Sequence, residues 1–140
     1  MSLSIARRDL LAVAAGATLP AAGAAADSRP TLVEEWTFLK SLDPDPARLI
    51  AFIEANWFAM DRIAVAQGLF NSYALYRAED EGDWNLAVVV GYPDSQGSAA
   101  ILDRFNAIRA GHQTVLIDGK GLAQLGRITG SRKVSRMAGG

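Results

Sequence analysis

Apolar residues recur along the first half of the chain at spacings that predict one strand and one long helix. Residues 31–42 hold Trp36 and Phe38 in a β-favouring setting and predict a first strand. Residues 46–67 predict a helix that begins after Asp45, because their apolar side chains recur at three- and four-residue spacing and share one face. The residues on this face are Leu49, Ile50, Ile53, Trp57, Met60 and Ala64.

The second half of the chain predicts a hairpin, a second helix and a last strand. Residues 69–79 and 84–92 are rich in β-formers and are joined by a short polar link, which is typical of a hairpin. Residues 96–110 have the apolar spacing of a helix, and residues 127–136 alternate loosely as in a strand. The whole order is therefore strand, helix, strand, strand, helix, strand.

Residues 112–126 do not fit one element. The spacing of residues 113–117 favours neither strand nor helix. Asp118 and Gly119 indicate a turn, and residues 121–125 predict a short helical turn. The final residues 137–140 are expected to be a disordered tail.

The element order βαββαβ predicts an α+β, ferredoxin-like fold over a single domain, residues 27–140. Right-handed crossovers place both helices on one face of a four-stranded antiparallel sheet. The strands carry apolar residues on both sides, so the other face would be an apolar patch too large for a monomer. Pairing two such faces across a twofold axis predicts a homodimer.

In this element order, residues 31–136 resemble the dimeric α+β barrel superfamily, which includes small monooxygenases, heme-degrading enzymes and stress-responsive proteins. The resemblance implies a small, mostly apolar or aromatic ligand held between sheet and helices. Heme-degrading members need an Asn on the first strand and a Trp shortly upstream of a histidine on the second helix. Residues 31–42 contain no Asn, and Trp84 lies far upstream of His112. No cofactor is therefore predicted, although heme binding stays open.

The N-terminal residues 1–26 have the layout of a secretory signal. The pair Arg7 and Arg8 precedes the uncharged, Ala-rich run 10–26, and small residues end it at Ala26, where cleavage is expected. The paired arginines resemble the bacterial twin-arginine export signal, which predicts a periplasmic or secreted protein. A membrane anchor needs about 20 strongly apolar residues, so no permanent anchor is expected; an uncleaved extension is the other alternative.

The amino-acid composition excludes several classes of function. The 140 residues are 50% hydrophobic and 21% charged, as in a globular protein, and the net charge of -1 gives no basic surface for nucleic acid. The chain has no Cys, which excludes disulfides, Cys-based metal sites and a thiolate nucleophile. The acidic stretch 79–83 lacks the spacing of a calcium loop, so no metal site is predicted.

His112 is the only histidine and the obvious proton carrier near neutral pH. The alternative is a histidine that caps a helix C-terminus or binds a loop. Together with Asn56 and Tyr73, His112 is a candidate catalytic residue that would orient or deprotonate a substrate. If no pocket larger than a few waters lies beside His112 and Tyr73, the enzyme interpretation should be dropped.

Five further residues are candidates for ligand binding: Trp36, Trp57, Arg62, Tyr76 and Trp84. Trp57 lies on the apolar helix face and fits core packing as well as a pocket. Arg62 would close a pocket over an anionic ligand, or be solvated together with Asp61. The strand aromatics suit a ligand pocket and a dimer interface equally.

Two functions follow from these features. The first is an exported small-molecule-binding protein that acts as a cofactor-independent, monooxygenase-like enzyme, in which a deprotonated substrate in an apolar pocket reacts with oxygen itself. The second is a non-catalytic dimeric binding or stress-related module. The sequence does not choose between them.

Overall fold

A computed structural model describes residues 29–139 as a sheet with helices on one face. The strands are β1 (Val33–Ser41), β2 (Ser72–Arg77), β3 (Leu86–Tyr92) and β4 (Gly126–Ser135). They form one antiparallel sheet in the order β2-β3-β1-β4. The predicted α+β, ferredoxin-like arrangement is confirmed.

Within residues 29–139, three helices accompany the sheet. Helix α1 covers residues 47–66 and consists of the α-helical parts Ala47–Phe52 and Phe58–Ala66 with the π-helical turn Ile53–Trp57 between them. Helix α2 is Leu102–Gly111, and a 3-10 turn, Gly97–Ile101, leads into it. The short helix α3, Leu122–Leu125, precedes β4. The predicted elements are present with ends shifted by a few residues, except that the second helix begins as a 3-10 turn.

Local chemistry explains where α1 begins and ends and where the 3-10 turn before α2 begins. Asp45 Oδ1 accepts a hydrogen bond from the Ala47 N–H at 3.0 Å, which satisfies one free donor at the start of α1. Gly68 then adopts φ +77°, the left-handed conformation that commonly ends helices. Asp94 accepts from the Gln96 N–H at 2.8 Å in the same way before the 3-10 turn.

Residues 112–121 form neither helix nor regular strand. Their one bridge pairs Ile117 with Lys120 around a tight turn at Asp118 and Gly119, which have φ of 51° and 75°. The turn and the helical turn after it were predicted. Residues 137–139 lie in neither helix nor strand, and both residue 140 and the predicted signal 1–26 lie outside the described residues. Within residues 29–139, no helix is long and apolar enough to cross a membrane.

The space between sheet and helices contains two separate apolar clusters. Cluster A consists of Leu39, Leu49, Phe52, Ile53, Leu86, Val88 and Leu125. Cluster B consists of Ala64, Leu69, Phe70, Tyr92, Ile101 and Ile108. Val90 packs against both clusters. The layer is therefore a core in two parts, and a cavity lies where they meet.

The other face of the sheet carries four aromatic side chains and no described helix. This aromatic face consists of Trp36, Phe38, Tyr76 and Trp84. Trp36 stacks on Tyr76 with ring centroids 5.8 Å apart, and Phe38 lies 4.9 Å from Trp84. The rings cover Ala87 of β3, which is fully buried although it lies on this face. The central strand β3 is thus buried on both sides.

Candidate functional site

A cavity of about 290 Å³ lies between the sheet and the helices. We call it the internal cavity. Trp57 and Val88 line it from the side of cluster A, and Met60 and Phe105 from the side of cluster B. Arg109 and Ile128 also line it and are exposed, so the cavity opens between α2 and β4. A lining of aromatic and aliphatic side chains with four polar ones among them is compatible with a ligand pocket.

Asp61 of α1 lines the internal cavity and is 5% exposed. Burial raises the pKa of its carboxyl to about 7, and the neighbouring Arg62 lowers it by less. Among the described residues, no hydrogen bond to this carboxyl contributes to its pKa. The carboxyl of Asp61 therefore exchanges its proton near neutral pH at the wall of the internal cavity.

The expectation that Asp61 is solvated is wrong, whereas Arg62 is exposed as expected. Asp61 follows Trp57 by four residues and precedes Ala64 by three, so it lies on the helix face that turns to the sheet. Both of these residues belong to the apolar face that the sequence identifies. The spacing was the signal that could have revealed a buried acid.

Tyr92 of β3 adds a buried phenol to the same cavity. Burial raises its pKa above the usual range, and the carboxylates of Glu35 and Asp61 raise it further. Glu35 is held in place by Ser98, whose N–H and Oγ–H donate to Oε2 at 2.9 and 3.0 Å. Tyr92 therefore keeps its proton at physiological pH. Sequence reasoning did not single out Tyr92 or Glu35.

Asn56 and His112 lie together, joined by a side-chain hydrogen bond. Asn56 is 3% exposed, and its Nδ2 donates to the carbonyls of Phe52 at 3.0 Å and Val115 at 2.9 Å. Its Oδ1 accepts from the Val115 N–H at 2.7 Å and from His112 Nε2 at 2.9 Å. Because an amide oxygen only accepts, His112 carries its hydrogen on Nε2. The pair fastens residues 112–115 to the π-helical turn of α1.

Tyr73, the third predicted catalytic residue, packs its ring against Phe58 at 4.8 Å between centroids. It lines neither the internal cavity nor the groove of about 400 Å³ that contains His112. That groove runs between α1 and α2, with Ile63 on one side and Arg104 on the other. Asn56 does not line either space. The structure thus joins two of the three candidates and leaves Tyr73 apart.

The five predicted ligand-binding residues divide between three surfaces. Trp57 lines the internal cavity, Arg62 lies on the exposed side of α1, and Trp36, Tyr76 and Trp84 belong to the aromatic face. Within one chain, the sheet separates Trp57 from the three aromatic-face residues. They cannot line a single pocket of the monomer.

Comparisons with known proteins add no family or function to the fold described above. No family model, curated protein or solved structure matches the chain at a significant level. Within residues 29–139, no three His, Asp or Glu side chains lie close enough to hold a metal ion. The ferredoxin-like arrangement is shown, and the resemblance to the dimeric α+β barrel superfamily stays a prediction.

Proposed function

We propose that this domain binds a small, mostly apolar molecule in the internal cavity. One observation supports the proposal: a buried carboxyl, Asp61, lines a cavity between two core clusters together with aromatic and aliphatic side chains. A domain built for stability alone fills its interior at close to crystal density. It also avoids a buried ionisable group without a partner, because desolvation of the charge is costly. The volume of about 290 Å³ is at the lower end for ligand pockets.

The test is a titration of the full chain with 2-phenylethanol, followed by ¹H–¹⁵N NMR. We expect saturable shifts that cluster at Trp57, Val88 and Phe105. Ile128→Trp places a large ring at the exposed mouth and should abolish the shifts. Thr129→Trp is the matched control, because Thr129 is exposed on the same strand and does not line the cavity. Shifts that are absent, or confined to the aromatic face, would contradict the proposal.

A second candidate is proton abstraction, and the pKa of about 7 at Asp61 favours it. A general base is most effective when its pKa lies near the working pH. In the monooxygenase-like reaction that the family resemblance implies, the deprotonated substrate reacts with oxygen itself. Asp61 would then be the base, because none of the predicted set Asn56, Tyr73 and His112 lines the internal cavity.

Oxygen uptake distinguishes this enzyme from a non-catalytic binding module. With 1,4-dihydroxynaphthalene at pH 8, we expect the protein to accelerate oxygen consumption and Asp61→Asn to remove the acceleration. A loss on His112→Ala with full activity in Asp61→Asn would return the proton transfer to His112. No acceleration by the unaltered protein would favour the binding or stress-related module.

The proposal also includes the cellular setting. We propose that the protein is exported by the twin-arginine route and works as a homodimer in the periplasm. The support is Arg7 and Arg8 before an uncharged run and an aromatic face that no described element covers. N-terminal sequencing of protein from the periplasmic fraction should begin at Asp27; a start at Met1 or Ser2 would contradict cleavage.

A further inference from the structure

The negative charge of Asp61 has no cationic partner among residues 29–139. Arg62 follows it directly on α1, yet its side chain is exposed and its effect on the Asp61 pKa is smaller than that of burial. Arg109 lines the same cavity, but it donates to Asn106 Oδ1 at 3.0 Å and lies 5.1 Å from the centre of the Phe105 ring. Neither arginine forms an ion pair with Asp61 within the described part of the chain.

Aromatic rings share the cavity with this carboxyl. The rings that line it belong to Trp57, Phe70, Tyr92 and Phe105. Phe70 stacks on Phe105 at 5.2 Å and meets Tyr92 edge-on at 5.1 Å, so these three form one continuous aromatic wall. The negative face of an aromatic ring attracts a cation, most strongly where water is excluded. A carboxylate beside such rings selects a positively charged group over a neutral one of equal size.

We infer that the ligand of the internal cavity is a small aromatic amine whose protonated nitrogen pairs with the Asp61 carboxylate. This inference rests on the proposed binding function and specifies its ligand class. The nitrogen exchanges water for a charge-assisted hydrogen bond to the carboxylate. The aromatic body of the ligand packs against the wall of Phe70, Tyr92 and Phe105.

The ionisation of Asp61 makes the binding depend on pH. The charged or titratable groups around it are Arg62 on α1, Tyr92 on β3, Glu35 on β1 next to Tyr92, and Arg109 on α2; β4 contributes the uncharged Ile128. With a pKa of about 7, the carboxyl is largely ionised at pH 8 and about one in thirty is ionised at pH 5.5. An alkyl amine stays protonated at both values. The affinity for the amine should therefore fall about 30-fold between pH 8 and pH 5.5.

The experiment compares 2-phenylethylamine with 2-phenylethanol, two probes of nearly equal shape, by NMR titration of the full chain. At pH 8 we expect the amine to bind at least tenfold more tightly. At pH 5.5, and in Asp61→Asn at pH 8, the preference should disappear while the alcohol binds as before. Asp103→Asn is the matched control, because it removes the same charge from an exposed position on α2 and should keep the preference.

The outcomes separate this inference from the binding function on which it rests. If the alcohol binds as tightly as the amine at pH 8, the amine inference is overturned and the binding function stands. If neither probe binds the unaltered protein, the binding function itself fails. The pH comparison uses the unaltered protein, so it decides the question even if Asp61→Asn does not fold.

Discussion

Single residues on α1 combine structural and chemical roles. Asp61 supplies a proton-exchanging group, and Asn56 satisfies four hydrogen-bonding positions with one side chain. Both lie on the buried side of the helix, where a polar group costs free energy unless it is paired. Asn56 is paired by the chain itself, whereas Asp61 has no ion-pair partner among residues 29–139. Replacement of Asp61 should therefore change the pH dependence of stability, whereas replacement of Asn56 should lower stability itself.

Replacement of Asp61 by Asn should remove a pH dependence of folding. The folded-state pKa of about 7 lies above the usual value of 3.8, so the folded state binds more protons between these values. Stability therefore falls as pH rises through this window. Between pH 5 and pH 8 the unaltered protein should lose about 2 to 3 kcal/mol more than Asp61→Asn. Urea unfolding at both pH values measures this, and equal losses in the two proteins would contradict a raised pKa.

Replacement of Asn56 by Ala should destabilise the fold. It leaves the Val115 N–H and the carbonyls of Phe52 and Val115 without their side-chain partner, at a cost of about 2 to 4 kcal/mol. Glu54→Ala is the control, because Glu54 is exposed on the same π-helical turn and should change stability little. If both variants unfold at the same urea concentration, Asn56 does not fasten the segment.

The sequence identifies some of these residues as candidates and not others. It selected Asn56 and His112 as candidates, but only the folded chain shows that they bond each other across 56 positions. The acid at 61 was readable from its spacing to Trp57 and Ala64. It was missed because a charged side chain is ordinarily exposed, and nothing local shows that a helix face will bury one.

At the scale of elements, the regular parts of the chain followed from local patterns. Strand alternation and helical spacing depend on which side chains face the core, and neighbouring residues record that choice. The conformation of residues 113–117 could not be predicted from local patterns. The Asn56 side chain of α1 holds these residues through its hydrogen bonds to Val115, and no backbone ladder does so. The internal cavity was equally hidden, since it depends on how two clusters meet.

The 3-10 turn before α2 depends on a glycine in a left-handed conformation that other residues rarely adopt. Gly97 has φ +62°, and a Cβ there would collide with Glu35 Oε2. Gly97→Ala should therefore cost about 1 to 3 kcal/mol and loosen the Glu35–Ser98 contact. Gly111→Ala, with no atom within 4 Å of the new methyl, should stabilise the protein by about 0.5 kcal/mol. Differential scanning calorimetry of both variants checks the pair, and a Gly97→Ala protein as stable as the original would contradict it.

At the scale of the whole molecule, the aromatic face is the feature that supports the proposed homodimer. Tyr76 is 52% exposed although it stacks on Trp36, and Val134 on β4 is also exposed. Monomeric proteins rarely expose apolar patches larger than a few hundred Å². The predicted homodimer would cover this face with a second copy of it.

A charge in the aromatic face should therefore dissociate the proposed dimer. Trp36→Glu would bury an unpaired carboxylate at the interface, so we expect a monomer where the unaltered protein is a dimer. Arg104→Glu, exposed on α2, is the control and should remain dimeric. Native mass spectrometry reports both masses. An unaltered protein that is monomeric at micromolar concentration would contradict the proposal.

The division of the core into clusters A and B bears on how cooperatively the domain unfolds. Val90 packs against both clusters, and the internal cavity lies where they meet. Hydrogen exchange measures the free energy of the opening that exposes a backbone amide to solvent. This free energy should therefore differ between the amides of α1 beside cluster A and the amides of β3 beside cluster B. A bound molecule touching Trp57 on one side and Phe105 on the other would bring the two values together. In a hydrogen-exchange experiment, the bound ligand would therefore give the two parts of the core one common free energy of opening.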